Sequence, residues 1–168
     1  MELDLGERER FEAWYLSRRE TVVGIAFLYV GSVEEAQDLT QEVFARAWQH
    51  WDVVSGHPNP DAWSRTVLHN LVVARWRRSR LERSRFLVVS AGSEGPNADH
   101  LDLARLLTRL PPNQRRALIL REVLDLSVDD TAAEMGAPAG TVRSWVHRAR
   151  AALADQAPHG TPAARKED

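Results

Sequence analysis

The chain has 168 residues, a hydrophobic fraction of 43%, a net charge of −2 and no cysteine. This length fits one ordinary domain or two small ones, and the hydrophobic fraction is high enough to bury a core. The lack of cysteine excludes a disulfide framework, a cysteine-based zinc site and a thiol redox switch. The sequence contains neither a signal-peptide pattern nor a run of about 18 apolar residues, so we expect a cytoplasmic protein without membrane insertion.

Long helices are predicted in the N-terminal half of the chain. Apolar residues recur mostly at three- and four-residue steps over residues 5–30, and Gly31 interrupts this pattern. Ser32 and Glu35 have the spacing of a capping box, which predicts the start of a second helix that runs to about Trp51. On this second helix we expect Phe44 and Trp48 to pack in the core.

A loop and a third helix are predicted next. Residues 52–60 are dense in Gly, Pro and Asn and predict a turn-rich loop. Asp61 is the predicted N-cap of a helix that continues to about Arg83. We expect its buried side to carry Ala62, Trp63, Thr66, Val67, Leu71 and Ala74.

The composition changes between residues 86 and 99, where FLVVSAGSEGPNAD has no helical period. This segment is predicted to be a flexible linker and a domain boundary. Helical patterns return over residues 100–110 and 113–124, and Pro111 and Pro112 separate them. The tail from residue 156 to residue 168 has no apolar period and is predicted to be disordered.

Residues 126–152 have the pattern of a helix-turn-helix unit. Ser127 and Asp130 form a capping box, Gly136 suits a left-handed helix end, and Pro138 suits the first turn of the next helix. The second helix of such a unit enters the DNA major groove. A helical hairpin with a solvated, arginine-rich face is the alternative. The second helix of the unit carries six side chains that suit contacts to DNA: Thr141, Arg143, Ser144, His147, Arg148 and Arg150.

The basic residues are clustered, although the net charge of the chain is slightly negative. A local basic patch attracts phosphates whatever the total charge. The preference for arginine over lysine fits contacts to phosphate and guanine, and it equally fits a GC-rich genome. One cluster lies on the second helix of the helix-turn-helix. The other consists of Arg75, Arg77, Arg78, Arg80, Arg83 and Arg85.

Taken in order, these motifs resemble the bacterial extracytoplasmic-function (ECF) RNA polymerase sigma factors, the smallest sigma-70 type, which have only sigma domains 2 and 4. EEAQDLTQEVFARAW (34–48) and DAWSRTVLHNLVVARWRRSR (61–80) resemble domain 2. The segment 107–153 resembles domain 4. The resemblance implies an all-α fold of two small helical domains joined by a flexible linker.

The resemblance also implies the domain limits and the partners. Domain 2 is expected at 5–85, the linker at 86–99 and domain 4 with its helix-turn-helix at 100–155. The implied protein is a transcription initiation factor that directs core RNA polymerase to promoters by reading their −35 and −10 elements and assists promoter melting. Its expected partners are core RNA polymerase (the beta-prime clamp and beta), promoter DNA and an anti-sigma factor, with no cofactor or metal.

The resemblance assigns three groups of site residues. Core polymerase binding is expected at the polar face of the second helix, for which a simply solvated face is the alternative: Asp38, Gln41, Glu42, Arg46 and Gln49. Binding of the −10 element is expected at Arg65, His69, Asn70, Trp76, Arg77 and Arg80. Binding of the −35 element is expected at Thr141, Arg143, Ser144, His147 and Arg148.

A few positions have two interpretations or depart from the family pattern. Arg115 and Arg116 either touch phosphates or are solvated. Many family members have an acidic residue where this chain has Ala74, and a basic one where it has Trp145. Trp145 either changes the −35 sequence that is read or is a packing residue.

Two other classes of protein would account for parts of the sequence. A helix-turn-helix regulator that acts without core polymerase would explain residues 113–153 but leave the N-terminal half without a role. An enzyme such as a nuclease would need a metal site or a nucleophile. The six histidines are scattered, no HExxH motif or glycine-rich phosphate loop occurs, and we expect no enzymatic activity.

Overall fold

The computed structural model describes residues 5–83 and 98–156, and all regular structure in these two ranges is helical. Most of the predicted linker and the predicted tail after Gln156 therefore lie outside the described residues, while Ala98, Asp99 and Gln156 belong to helices and not to linker or tail. In chain order the elements are α1 (Leu5–Val30), α2 (Val33–Gln49), α3 (Trp51–Ser55), α4 (Pro60–Arg83), α5 (Ala98–Thr108), α6 (Pro112–Leu118), a π-helical turn (Ile119–Val123), α7 (Val128–Met135) and α8 (Ala139–Gln156).

The helix ends lie close to where the local signals predict them. Ser32 Oγ accepts a hydrogen bond from the backbone N–H of Glu35 at 3.3 Å, and Ser127 Oγ accepts one from Asp130 at 3.0 Å. Each bond satisfies a donor in the first turn that has no partner within the helix. Gly136 adopts the left-handed conformation, with φ of 60°, that ends α7. Ser32 and Ser127 are thus the N-caps of α2 and α7 as predicted, and the helix-turn-helix is confirmed.

The prediction for residues 52–60 is partly wrong. Trp51–Ser55 form the short helix α3, since Trp51 and Val54 are both buried in the N-terminal core. Asp61 is not the N-cap of α4. Asn59 Oδ1 accepts from the backbone N–H of Ala62 at 3.0 Å, while the Asp61 carboxylate accepts from the Arg18 guanidinium at 2.9 Å.

The predicted buried side of α4 is also partly wrong. The buried residues are Ser64, Leu68, His69, Leu71 and Val72, whereas the predicted Ala74 is exposed. The cause is that α4 contacts helices on two sides: α1 and α2 on one, and α7 on the other. A stripe chosen for a single neighbour cannot predict burial on both.

Aromatic side chains fill one end of the N-terminal core. Phe11 lies with its ring centroid 4.9 Å from that of Trp48 and 5.2 Å from that of Trp51, in edge-to-face arrangements that aromatic rings favour. Phe44 is buried and packs edge-on against Trp14 at 5.2 Å. Core packing of Phe44 is thereby confirmed, whereas Trp48 is half-buried and packs against Phe11 at the edge of the core. These contacts fix α2 against α1.

The two halves of the protein pack directly against each other. Ala104 from α5 and Ile119 from the π-helical turn are buried in the same apolar cluster as Ile25 and Leu68 of the N-terminal half. A second cluster holds the helix-turn-helix together and includes Val142 of α8. The contact between the halves therefore continues the hydrophobic core and is not a loose association.

Candidate nucleic-acid interfaces

Helix α8 presents an exposed basic face opposite its buried one. Val142, Val146 and Ala149 are buried against the C-terminal core. Of the predicted −35 residues, three are exposed and two half-buried. The exposed ones are Arg143, His147 and Arg148, and the half-buried ones are Thr141 and Ser144.

Side-chain contacts on α8 separate its two central arginines. Arg148 folds back along the helix, where its Nη2 donates to Ser144 Oγ at 2.7 Å. Arg143 lies one turn closer to the helix N-terminus and is exposed. Trp145 is half-buried and packs against the C-terminal core, so of its two interpretations the structure favours packing.

The polar face of α2 is solvent-accessible. All five predicted polymerase-binding residues, Asp38, Gln41, Glu42, Arg46 and Gln49, are exposed. Glu42 and Arg46 form an i,i+4 ion pair with a Nε–Oε1 distance of 2.8 Å. Because both side chains are about half exposed, this pair contributes little to stability and leaves the face open to a partner.

Helix α4 is divided into a covered half and an open half. Arg65 and His69, predicted to bind DNA, are instead turned towards α6 and α7; His69 is buried. Asn70, Trp76 and Arg77 are exposed, as a DNA-binding role requires. The side chain of Arg80 lies outside the described residues. In this conformation the structure thus does not leave Arg65 and His69 accessible to DNA.

A bidentate ion pair joins the covered half of α4 to α7. Arg65 Nη2 lies 2.6 Å from Glu134 Oε2, and Arg65 Nε lies 2.9 Å from Glu134 Oε1. The two side chains are 15% and 5% exposed, so the pair is largely shielded from water. Arg116 Nη2 adds bonds to Thr66 Oγ1 at 3.2 Å and to the Glu134 carbonyl at 3.3 Å.

Arg115 joins the ends of α1 and α5 and the turn after α5, beside the Arg65–Glu134 pair; this contact region between the halves is called the junction below. Its guanidinium donates to the carbonyl oxygens of Tyr29, near the end of α1, of Thr108, at the end of α5, and of Leu110. A cation at a helix C-terminus satisfies carbonyls that lack intrahelical partners and opposes the helix dipole. Arg115 and Arg116 are both buried, so the two predicted roles, phosphate contact and solvated surface, are wrong for this conformation.

Burial and positive charge shift the acid–base behaviour of the junction. Desolvation, together with the nearby Arg116 and Arg115, lowers the pKa of His69 from 6.5 to about 4, so the imidazole is neutral at pH 7. Burial lowers the pKa values of Arg115 and Arg116 and raises that of the Tyr29 hydroxyl. Among residues 5–83 and 98–156, no group forms a hydrogen bond with the buried His69 Nδ1.

The open half of α4 lines a cleft of about 650 Å³ beside the junction. Its lining includes Arg75, Trp76 and Arg78 of α4, together with Tyr29, Thr108 and the acidic Glu35. Cationic and aromatic side chains together are what unstacked nucleotides bind: cations attract phosphates and rings stack on bases.

Sequence reasoning missed the residues that join the halves. Arg65 and Glu134 are 69 positions apart, and Arg115 and Tyr29 are 86 apart. A single sequence carries no signal for such distant pairs. In the parts of the chain that the structure describes, no group of acidic and histidine side chains is arranged to hold a metal, and no helix is long and apolar enough to cross a membrane.

Comparison with known proteins decides the family. The description "Sigma-70 region 2" matches residues 14–82, and "Sigma-70, region 4" matches residues 100–153. The RNA polymerase sigma-E factor of Streptomyces coelicolor is 33% identical over 159 residues, covering 90% of this chain and 88% of that protein. The chain belongs to the sigma-70 family of RNA polymerase sigma factors.

Further relatives place this sigma factor in the ECF group. The ECF sigma factor SigC of Mycobacterium tuberculosis is 34% identical over 138 residues, covering 77% of this chain and 75% of that protein. A solved complex of the sigma factor RpoE with the anti-sigma factor NepR from Bartonella quintana has a TM-score of 0.75 at 27% identity. That comparison covers 88% of this sigma factor and 96% of RpoE.

The family confirms the expected fold class and function. This sigma factor is an all-α protein with the sigma-70 regions 2 and 4, and it initiates transcription at specific promoters together with core RNA polymerase. The comparisons give no support for a helix-turn-helix regulator that acts without the polymerase.

Proposed function

We propose that this sigma factor uses three separate surfaces: α2 for core polymerase, α4 for the −10 element and α8 for the −35 element. The observation that carries the proposal is the exposed basic face of α8, set on a capped helix-turn-helix whose opposite face is buried. The proposed domain limits are 5–85 and 100–155, with the linker at 86–99 and the tail at 156–168.

The −35 assignment rests on the angular positions along α8. At about 100° per residue, Ser144, His147 and Arg148 fall within an arc of about 140° from Arg143. A helix in the major groove has DNA backbone on both sides, so residues at the two edges of this arc take different roles. Arg143, nearer the helix N-terminus, reads a base edge, and Arg148 binds phosphate.

The −10 assignment begins with the residues that are already accessible. Asn70 has one donor and one acceptor for a base edge, and Trp76 offers a ring for an unstacked base. Arg77 and Arg80 supply charge for the phosphates. Arg65 and His69 join this surface only after α7 has moved away from α4.

Core binding is assigned to the exposed face of α2 described above. The buried side of this helix already packs against α1, so packing does not explain the polar residues on the other side. Charge on such a face steers association and fixes the orientation of a partner. The assignment to the polymerase beta-prime clamp rests on the family.

An anti-sigma factor is a further proposed partner. RpoE of Bartonella quintana was solved with one, NepR, and this chain superimposes on RpoE across most of its length. We place the protein in the cytoplasm, where RNA polymerase works, and assign it no catalytic activity of its own.

Run-off transcription on a promoter library with core polymerase from the source organism tests the assignments together. The wild-type factor is expected to select a set of promoters with common −35 and −10 sequences. Arg143→Ala should change the −35 preference, whereas Arg105→Ala, an exposed arginine of α5, should not. An unchanged promoter set with Arg143→Ala would remove α8 from −35 reading.

A further inference from the structure

The junction between the halves covers part of the surface assigned to the −10 element. Arg65 and Thr66 lie one turn before His69 on α4, and all three face groups from the C-terminal half. A residue held this way cannot bind DNA at the same time. The closed arrangement and the DNA-bound arrangement of α4 are therefore mutually exclusive.

The charges at the junction make the closed arrangement depend on one carboxylate. Three guanidinium groups meet there, those of Arg65, Arg115 and Arg116. Arg115 is bonded to carbonyl oxygens, which carry only partial charge. Glu134 supplies the single full negative charge bonded to these groups in the described residues, and its two oxygens hold Arg65 in a bidentate pair.

Glu134 contacts two helices of the junction, and its side chain lies where an unpaired charge is costly. Its side chain is nearly buried, and its carbonyl oxygen accepts from Arg116, so the turn of α7 at Glu134 touches two helices of the junction. A largely buried charge that loses its partner is strongly disfavoured, which pushes the halves apart until both groups reach water.

We propose that Arg65 and Glu134 form a latch that keeps the two halves of the free sigma factor closed. The carboxylate of Glu134 occupies the guanidinium much as a DNA phosphate would, since both are oxyanions that arginine binds with two parallel hydrogen bonds. Opening releases Arg65 together with the neighbouring surface of α4. The link from opening to DNA binding rests on the −10 assignment proposed above; the latch itself does not.

The test measures the distance between the halves in the protein alone. Because the chain has no cysteine, Ala45→Cys on α2 and Ala151→Cys on α8, both exposed, give a unique pair of spin-label sites. Double electron–electron resonance on the otherwise unchanged chain should show one short, narrow distance. Glu134→Gln should add a longer, broader component, with the ratio of open to closed molecules raised at least about tenfold.

Matched variants show whether the pair itself is responsible. Glu122→Gln removes the carboxylate of an exposed ion pair with Arg150 inside the C-terminal half, and should leave the distance unchanged. Arg65→Gln should open the protein as Glu134→Gln does, and the double variant should open it no further, since both act through one interaction. Circular dichroism verifies that helicity is retained. If Glu134→Gln disrupts folding, Arg65→Gln provides the same measurement.

The outcomes separate the latch from the proposed function. A short, narrow distance in folded Glu134→Gln or Arg65→Gln, equal to that of the wild type, would overturn the latch, as would additive opening in the double variant. Anisotropy with fluorescein-labelled single-stranded DNA of random sequence then tests the −10 role. Opened Glu134→Gln should bind several times more tightly, because binding is limited by the open fraction. Opening without tighter binding leaves the latch intact and contradicts the −10 assignment of Arg65.

Discussion

Helices α4 and α8 each carry a series of arginines, but they lie in different environments. On α8 the arginines at 143 and 148 project from a single-sided helix into solvent. On α4 the first arginine of the series, Arg65, is shielded by α7, while the later ones, Arg75, Arg77 and Arg78, line or adjoin an open cleft. The same residue type therefore serves two purposes: on α8 it is available for DNA, and at the start of α4 it holds the protein together.

The two helices also show how an exposed arginine and a buried arginine are each stabilised. An exposed arginine needs no partner, because water solvates it. A buried arginine needs oxygen acceptors for its charge, and at the junction these are one carboxylate, one hydroxyl and several carbonyls. A mutation on α8 should change what is recognised, whereas a mutation at the junction should change whether the halves stay together.

The largest effect is expected for Arg115→Ala. The change leaves three carbonyl oxygens at the junction without their donor, and each lost bond to a charged group costs about 1.5–3 kcal/mol. We expect the free energy of unfolding to fall by roughly 3 kcal/mol or more in urea titration. Binding of −35 duplex DNA should fall little while the protein remains folded, because the α8 side chains assigned to DNA are exposed on the face opposite the one that packs in the C-terminal core.

The control for that prediction is Arg105→Ala on α5. Arg105 pairs with Asp102 at 3.5 Å, and both side chains are well exposed, so its loss should change stability by less than about 1 kcal/mol. Equal midpoints for Arg115→Ala and Arg105→Ala would show that the buried arginine does not hold the junction.

The second effect concerns the two edges of the α8 face. Arg143→Ala should relax specificity at one base pair of the −35 element, by about 1–3 kcal/mol of discrimination. Arg148→Ala is the matched variant and should weaken binding to all sequences about equally, with a smaller salt dependence. Binding selections from random duplexes measure both; identical base preferences in wild type and Arg143→Ala would refute the assignment.

The third effect is a pH dependence confined to the junction. In the closed protein His69 faces Arg115 and Arg116 from α6 and Tyr29 from α1, and its pKa is lowered to about 4. Once exposed, it takes up a proton near its ordinary value of 6.5. The closed state should therefore lose stability as pH falls from about 6.5 towards 4, by at most about 1.4 kcal/mol per pH unit.

His69→Gln isolates this contribution. Above pH 7 the imidazole is neutral in both states, so the titration contributes nothing there. The variant should flatten the decline of unfolding free energy between pH 6.5 and 5, as followed by urea titration at several pH values. A decline as steep in His69→Gln as in the wild type would assign the acid sensitivity to other groups.

The smallest effect is expected for the exposed polar face of α2, a helix that is assigned to core polymerase and not to DNA. Charge reversal at Glu42 breaks its exposed ion pair with Arg46 and should leave helicity unchanged. Affinity for core polymerase should fall about fivefold in a fluorescence titration, about 1 kcal/mol. Glu20→Lys, an exposed change on α1, serves as the control. Unchanged affinity in the Glu42 variant would count against this face.

The parts of the fold that could be predicted are mostly set by signals within a few residues along the chain. Capping boxes and left-handed glycines act within a few residues, so the ends of α2 and α7 are readable in a single sequence. The helix α3 was missed because its apolar residues lie among Gly, Pro and Asn. The face of α8 was readable because one partner, the rest of its own unit, decides its burial.

The features that could not be predicted depend on contacts between residues that are far apart in the sequence. Arg65, His69, Arg115 and Arg116 look like surface residues in the sequence, and they become buried only when residues about 50 to 86 positions away are brought against them. The family resemblance assigned Arg65 and His69 to DNA, a role that we propose only for an open state of α4. The closed state needs the three-dimensional contact between α4, α6 and α7.

The hydrogen bonds of Arg115 also determine which positions at the junction tolerate substitution. This side chain binds main-chain oxygens of Tyr29, Thr108 and Leu110, and every amino acid carries such an oxygen. The side chains at those three positions can change without removing an acceptor, provided the helix ends keep their shape. Arg115 itself has no such freedom, because lysine lacks the planar fork that reaches several acceptors at once. The part of the junction that Arg115 holds therefore depends on one side chain and on the backbone geometry of its three acceptors.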